Sequence, residues 1–403
     1  MAESFLLLMK IPFFRPNITE DEIAEVVDCL RSGWLTTGPR TKRFEAEFAA
    51  YVGAKHAVAL NSATAALHLA LEAIGLGRGD VVLVPTMTFA ATAEVVRYFD
   101  AKPILVDCRE GDFNLDIADA HRRAEQAVAE GLRLRAIIPV HYGGQAADMA
   151  GIMALARKYN LRVIEDAAHC CPASYRADVA SPWVKVGSES DVCCYSFYAN
   201  KCITTGEGGM ACTNDAQLAD RIRVMSLHGI SSDAWKRFSA AGSWYYEIVA
   251  PGFKYNLTDI ASALGLHQLR RADAMRDRRA WVATRYQGLL QSEDGLVLPQ
   301  SDANRLHSWH LYAIRLRLDR LTVDRAAVME QLKAAGVGAS VHWIPLHLHP
   351  YYRATYGYQP QDYPVAAKLS SEIISLPIFP GMTEEEIQYV VKTLAGILGS
   401  HRR

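Results

Sequence analysis

The strongest constraint on the fold is an alternation of two patterns running from about residue 57 past residue 210. Short apolar runs at Ala57–Leu60, Val81–Val84, Ile104–Val106, Ala136–Val140, Val163–Ile164 and Val192–Phe197 have the length and composition of buried strands. Met210 opens another apolar run. Between them lie helical patterns from Asn61 through Ala73, Ala90–Phe99 and Met149–Tyr159. Strands alternating with helices predict an α/β fold, a mostly parallel sheet with helices on its faces. Ligands of such sheets collect beyond the carboxyl ends of the strands. Phe89, Asp166 with His169, and Lys201 all stand at such ends.

The flanks read differently. Thr19 followed by Glu22 is a capping pattern ahead of Ile23, Val26, Val27 and Leu30, and Gly33 ends that helix. Ser32–Pro39 is a loop, and a second helix is expected over about Thr41–Tyr51. Helical periodicity from Thr258 to Leu290 predicts a long bridge into a second domain. Beyond it, strands at Leu311–Leu316 and Gly338–Val341 and helices at Val323–Ala335 and Glu384–Leu398 predict a smaller α+β unit. The expected division is a large domain over 1–265, with the N-terminal helices, and a small one over 266–403.

At 403 residues, 22% charged and with a net charge near −1, the chain has no basic excess for nucleic acid and no acidic tail. The apolar run Phe5–Met9 is too short to cross a bilayer and lacks a secretory leader's features, so a cytoplasmic protein without a membrane partner is expected. Eight cysteines show no Cys-x-x-Cys spacing. Cys193-Cys194 sits inside an apolar run, where cysteine behaves as a small hydrophobe. No metal is expected, and the adjacent pair Cys170-Cys171 leaves redox sensitivity open.

Three features carry chemistry. Lys201 lies between the run ending at Phe197 and a turn built from Gly206, Gly208 and Gly209. Partial burial there would lower its pKa and leave an amine able to attack a carbonyl, whereas a surface loop would leave an ordinary lysine. The Asn61-Ser62-Ala63-Thr64-Ala65 junction puts free N–H groups at the start of a helix, an anion site suited to phosphate, or else a plain cap by Ser62 or Thr64. Asp166, at the end of a buried strand, needs a partner: an arginine, or the protonated ring nitrogen of a pyridine cofactor. Phosphate, carbonyl and ring nitrogen occur together in pyridoxal 5′-phosphate (PLP).

Seven ordered motifs extend this reading over nearly the whole chain. They are Ser-Gly-Trp-Leu-Thr-Thr-Gly-Pro (32–39), Ser-Ala-Thr-Ala-Ala-Leu-His (62–68), Glu-Asp-Ala-Ala-His (165–169), Ser-Phe-Tyr-Ala-Asn-Lys (196–201), Thr-Gly-Glu-Gly-Gly (205–209), Gly-Phe-Lys-Tyr-Asn-Leu-Thr-Asp-Ile (252–260) and His-Ser-Trp-His-Leu-Tyr (307–312). With them the sequence resembles the nucleotide-sugar aminotransferases of the fold-type I PLP superfamily. Within that family it looks most like the members that form UDP-4-amino-4-deoxy-L-arabinose from a 4-keto sugar nucleotide.

The resemblance implies a large three-layer α/β/α domain with a smaller α+β C-terminal domain. It implies that Lys201 bonds to the cofactor aldehyde, Asp166 holds the pyridinium, His169 contacts the phenolic oxygen and Phe89 stacks on the ring. Ala63, Thr64, Ala65 and Ser196 would surround the phosphate. Asn256, with Lys254, would reach it from the neighbouring subunit of a homodimer with shared sites. Trp34, Thr36, Lys254, Trp309, His310 and His342 would meet the sugar nucleotide. The implied reaction takes an amino group from L-glutamate to C4 of a nucleotide-linked keto sugar, and the resemblance favours a UDP-linked one; the Tyr-Asn-Leu-Thr-Asp-Ile form of the 252–260 motif resembles enzymes acting at C4 rather than C3.

Relatives often carry His and Thr where Tyr198 and Asn200 stand, and Gly in place of Ala63. These departures touch the pocket wall and weaken inference about the sugar. Alternatives are amination at C3 of a dTDP- or UDP-linked keto sugar, a PLP-dependent dehydratase, against which Lys201 argues, and a cysteine desulfurase, which needs a mobile nucleophilic cysteine. A non-catalytic nucleotide-sugar sensor on the same fold is the alternative from another class.

Overall fold

The computed structural model describes residues 9–231 and 246–403. Seven strands form the main sheet: β1 (His56–Leu60), β2 (Asp80–Pro85), β3 (Lys102–Val106), β4 (Arg133–Ile137), β5 (Arg162–Asp166), β8 (Val192–Ser196) and β9 (Gly209–Thr213). Two short strands, β6 (Ser174–Tyr175) and β7 (Val184–Lys185), lie between β5 and β8 in sequence and pair outside this sheet. The order across the main sheet is β1-β9-β8-β5-β4-β2-β3. The pairs β2–β3, β2–β4, β4–β5 and β5–β8 are parallel, while β9 runs antiparallel to both β8 and β1. Parallel neighbours need a crossover, whereas antiparallel ones need only a turn. β8 passes directly to β9 through such a turn, and that turn carries Lys201.

Side chains alternate across the strands and fill two cores. Val58, Leu60, Val192 and Cys194 pack with the helices Ala63–Ala73, Ala91–Arg97 and Ala216–Met225. Ala57, Ala59, Cys193 and Tyr195 pack with Pro39–Val52, Ile117–Ala129, Met149–Tyr159 and Asp259–Arg270. This is the expected three-layer α/β/α arrangement. Phe44 and Phe48 are fully buried and meet Phe197 at ring distances of 5.3 and 5.4 Å. Full burial of one such ring stabilises the fold by about 2–3 kcal/mol, and here it anchors the chain just before the Lys201 turn.

A third core lies under β10 (Leu296–Val297), β12 (Tyr312–Leu316) and β13 (Ile373–Leu376), packed with the helices Ala272–Leu290, Arg325–Ala334 and Glu384–Ser400. Ile11 joins it by bridging Val337. β11 (Arg305–Leu306) pairs with β6, and β6 with β7, in a small separate sheet.

The first helix has the expected capping box at Thr19 and Glu22 and stops at Gly33, whose φ of 74° suits glycine. The second starts at Pro39, two residues early. Asp259 explains this: its carboxylate accepts from Gly38 N at 2.8 Å, Arg40 N at 3.1 Å and Thr41 N at 2.9 Å, capping the helix from across the fold.

Several expectations need correction. The bridge from Thr258 to Leu290 is two helices, Asp259–Arg270 and Ala272–Leu290, interrupted at Arg271. Gly338–Val341 forms no strand: Ser340 makes one isolated bridge with Ser375, and the segment 11–13 crosses so closely that a Cβ on Gly338 would lie 2.5 Å from Phe13 N. β4 ends at Ile137 instead of Val140, since Pro139 has no N–H for the ladder. β13 and the helices Pro350–Tyr356 and Pro364–Glu372 lacked a clear periodic signal in the sequence.

Among the described residues no helix is long and apolar enough to cross a membrane, and no His/Cys/Asp/Glu group is arranged to hold a metal. All eight cysteines are free and buried, as core thiols should be.

Candidate active site

A cavity of about 330 Å³ opens beyond the carboxyl ends of β5 and β8. Lys201, Asp166, His169, Ser196, Phe89, Ala63 and Thr64 border it, as do His310 and His342 from the C-terminal part. Residues separated by up to 279 positions in sequence therefore share one pocket of cofactor size.

The turn that presents Lys201 is tied to itself. Phe197 N donates to Gly208 O, Thr205 N to Phe197 O, and Thr204 Oγ1 to Phe197 O at 3.1 Å. Gly206 adopts φ 81°, where a side chain would be strained. The Lys201 amine forms no ion pair with the described residues. Burial lowers its pKa to about 8, against the opposing pull of Asp166. A lysine so placed reaches its nucleophilic form far more readily near neutral pH than one in water.

Asp166 is 5% exposed and pairs with no arginine among the described residues. Thr92 Oγ1 donates to its Oδ2 at 2.8 Å, and Ala168 N to its Oδ1 at 3.1 Å. Burial raises its pKa, while these bonds and the Lys201 charge work the other way. A buried carboxylate bordering a cavity calls for a cationic partner there.

His169 Nδ1 accepts from Gly143 N at 3.2 Å, and its ring stacks on Trp343 at 5.0 Å. His310 lies 4.3 Å from His169, ring to ring, and its Nδ1 is buried without a hydrogen-bond partner among the described residues. Burial keeps both imidazoles neutral, with pKa values well below the ordinary one. His342 is held down to about 4 for the same reason and bonds to Ser375 Oγ at 2.9 Å. A neutral ring next to Lys201 adds no charge to oppose the lysine's cation. An orphaned buried nitrogen beside a cavity suits a polar ligand.

At the far end, Ser62 caps the helix Ala63–Ala73 by accepting from Ala65 N at 3.0 Å. That leaves the N–H groups of Ala63 and Thr64 without an intrahelical acceptor. Gly209 brings β9 against this helix start: a Cβ there would lie 2.3 Å from the Ser62 carbonyl carbon and 2.6 Å from Ala63 N. The helix start, Ser196 and Gly208 border the cavity together, and free N–H groups at a helix start suit an anion. The donor set fits PLP, with an amine for the aldehyde, a carboxylate for the ring nitrogen and a helix start for the phosphate. Phe89, 61% exposed at the rim, has a free face for a ring.

Other expected residues lie apart. Ala65 is buried behind Ser62, and its N–H is taken. Trp34 and Thr36 are exposed in the 32–39 loop, where a Cβ on Gly38 would strike the Trp34 indole. Lys254 Nζ donates to Asn256 Oδ1, and Asn256 Nδ2 to Thr37 Oγ1 at 2.7 Å, and neither Lys254 nor Asn256 borders the cavity. Trp309 stacks on His307 at 4.0 Å and packs toward the third core. Asp259, from the motif read for sugar position, caps a helix instead of facing the cavity.

No motif in the sequence marks Thr88, Thr92 or Trp343. Thr92 lies in the first turn of the helix Ala91–Arg97 and Thr88 in the bend before it, so no helical spacing in the sequence relates the two.

The model of the DegT/DnrJ/EryC1/StrS aminotransferase family matches residues 16–395. The spore coat polysaccharide biosynthesis protein SpsC of Bacillus subtilis is 44% identical over 389 residues, 96% of this chain and 97% of that protein. A Streptococcus pneumoniae protein described as a sugar aminotransferase, solved in its PLP form, is 32% identical with a TM-score of 0.87, covering 97% of this chain and 99% of that one. Helicobacter pylori PseC, an aminotransferase involved in the biosynthesis of pseudoaminic acid, is 25% identical with a TM-score of 0.87, covering 97% and 100%. The chain belongs to the DegT/DnrJ/EryC1/StrS family, and is a PLP-dependent sugar aminotransferase.

Proposed function

We propose that this chain moves the amino group of L-glutamate to C4 of a nucleotide-linked keto sugar, releasing 2-oxoglutarate and a 4-amino sugar nucleotide. The observation that carries the proposal is the meeting of Lys201, Asp166, His169 and the Ser62–Thr64 helix start in one cavity. A UDP-linked sugar is favoured, and the narrower likeness to enzymes forming UDP-4-amino-4-deoxy-L-arabinose belongs to this proposal. The similarity to SpsC supports a product destined for a polysaccharide.

When bound, PLP supplies an aldehyde to carry the amine and a ring to accept electrons. Lys201 Nζ takes the proton from the donor's α-carbon, and on the return half it delivers a proton to the sugar carbon that receives the amine. Asp166 holds a proton on the ring nitrogen. Ala63, Thr64 and Ser196 would hold the phosphate, and Phe89 would stack on the ring. His169 donates to the phenolic oxygen. His310 and His342 line the wall on which the sugar rests.

A homodimer with shared sites is part of the proposal. Ile23, Leu30, Trp34 and Leu35 are large apolar side chains between 40% and 52% exposed, which a second copy could cover. A second copy covering them would bring Asn256 and Lys254 to the neighbouring cavity, together with Trp34 and Thr36. The division near residue 265 and a cytoplasmic location complete the reading.

The test is an absorption spectrum of purified protein before and after L-glutamate. A band near the visible edge that moves to the ultraviolet, and returns on adding a UDP-linked 4-keto sugar, is the expected result. Return only with 3-keto sugars would transfer the proposal to C3. A band that no amino donor shifts would favour the sensor.

A further inference from the structure

The Asp166 carboxylate ends a short chain of hydroxyls. Thr92 Oγ1 donates to Asp166 Oδ2 at 2.8 Å, and Thr88 Oγ1 lies 2.7 Å from Thr92 Oγ1. A threonine hydroxyl has one proton to give. Thr92 directs its proton to the carboxylate, so its oxygen accepts from Thr88. The chain thus points one way, from Thr88 at the cavity wall to Asp166. Thr88 is 1% exposed and Thr92 is fully buried, so water does not compete for either bond.

A threonine in the first turn of a helix commonly bonds to its own backbone. Here Thr92 reaches across to β5 instead. Asp166 has no ion-pair partner among the described residues, so its charge depends on Thr92, on the Ala168 N–H and on the field of Lys201. Aligned hydrogen bonds in a dry site polarise one another, and those made to a charged group are the strong ones. Removing the Thr92 hydroxyl takes away the only side-chain donor to this carboxylate among the described residues.

We propose that Thr92, backed by Thr88, is a positioning residue that keeps Asp166 ionised and aimed at the ring nitrogen of bound PLP. The inference rests on the role given to Asp166 under the proposed function. If Thr92 served packing alone, the isosteric Thr92→Val would leave the cofactor's electronic state untouched.

The experiment loads full-length wild type, Thr92→Val, Thr92→Ser and Thr88→Val with PLP isotopically labelled at the ring nitrogen. Nitrogen NMR reports the ring proton, and kcat and KM are measured beside it. Wild type and Thr92→Ser should show a protonated ring nitrogen. Thr92→Val should shift that resonance toward the unprotonated position and lower kcat roughly ten- to a hundredfold, with KM for the keto sugar little changed. Thr88→Val should move the resonance the same way by less. An unchanged resonance in Thr92→Val overturns the proposal, and if that variant fails to fold, an unchanged resonance in Thr88→Val does so. A wild type that binds PLP with an unprotonated ring nitrogen refutes the reading of Asp166 itself, and this proposal with it.

Discussion

The backbone N–H of Gly143 donates to Nδ1 of His169 at 3.2 Å, which places the proton of the neutral ring on Nε2. Burial, with Lys201 and His342 adding to it, holds that imidazole neutral well below its ordinary range. His310 behaves alike. The unfolded chain takes up a proton on each ring near pH 6.5, while the folded chain does not. Their contribution therefore turns against folding as pH falls through about 6.5. The apoprotein's melting temperature should fall between pH 7 and about pH 5, and nitrogen NMR of His169 should show the Nε2–H form throughout. A protonated His169 at about pH 6 would refute this.

The Lys201 amine, held down to about 8 by burial, must lose its proton before it attacks an aldehyde. The rate at which apoprotein captures PLP should rise with pH and level off above about 8. A solvated lysine would keep gaining rate to about pH 10.4. Stopped-flow absorbance measures this directly. Lys201→Ala should keep the fold, abolish borohydride-stable attachment of the cofactor and lower turnover by at least about a thousandfold.

Much of this site was legible in the sequence because it sits where strands end. Apolar runs fix β2, β5 and β8, and Asp166, the last residue of β5, and His169 just beyond it stand at the edge where the cavity opens. Lys201 was legible because a glycine turn directly between two apolar runs leaves a lysine little room to escape. What was not legible depends on distant contact. No periodicity announces that Asp259 caps the helix at Pro39, or that residues 11–13 cross Gly338 and prevent a strand there. Thr92 acquires its role only when its helix packs against the end of β5. Whether Asn256 serves its own cavity or another depends on a second copy of the chain, which local patterning does not encode.

Gly209 offers a check on the anion site. An alanine Cβ would sit 2.3 Å from the Ser62 carbonyl carbon, 2.4 Å from its oxygen and 2.6 Å from Ala63 N. Backbone atoms cannot rotate aside, so β9 or the helix start must move, at a cost of about 1–3 kcal/mol. Gly209→Ala should lower the melting temperature by several degrees and weaken PLP binding at least tenfold, measured by fluorescence titration. Gly381→Ala, where an added Cβ meets nothing within 4 Å, should leave both unchanged. Equal PLP affinity in Gly209→Ala would remove the helix start from the phosphate site.

The shared-site proposal makes a prediction that one chain alone cannot satisfy. Within its own chain Asn256 is occupied by Lys254 and by Thr37 Oγ1, and it does not border the cavity that Lys201 enters. If it completes the partner's phosphate site, a dimer of Lys201→Ala with Asn256→Ala chains holds one cavity with both defects and one with neither. Each variant alone should be nearly inactive. After subunit exchange, verified by two distinguishable tags, a statistical mixture should recover about a quarter of wild-type activity, since half the dimers are mixed and each carries one intact site of two. Full exchange with no recovery would place Asn256 in its own chain's site. Substantial activity in Asn256→Ala alone would remove it from the phosphate site altogether.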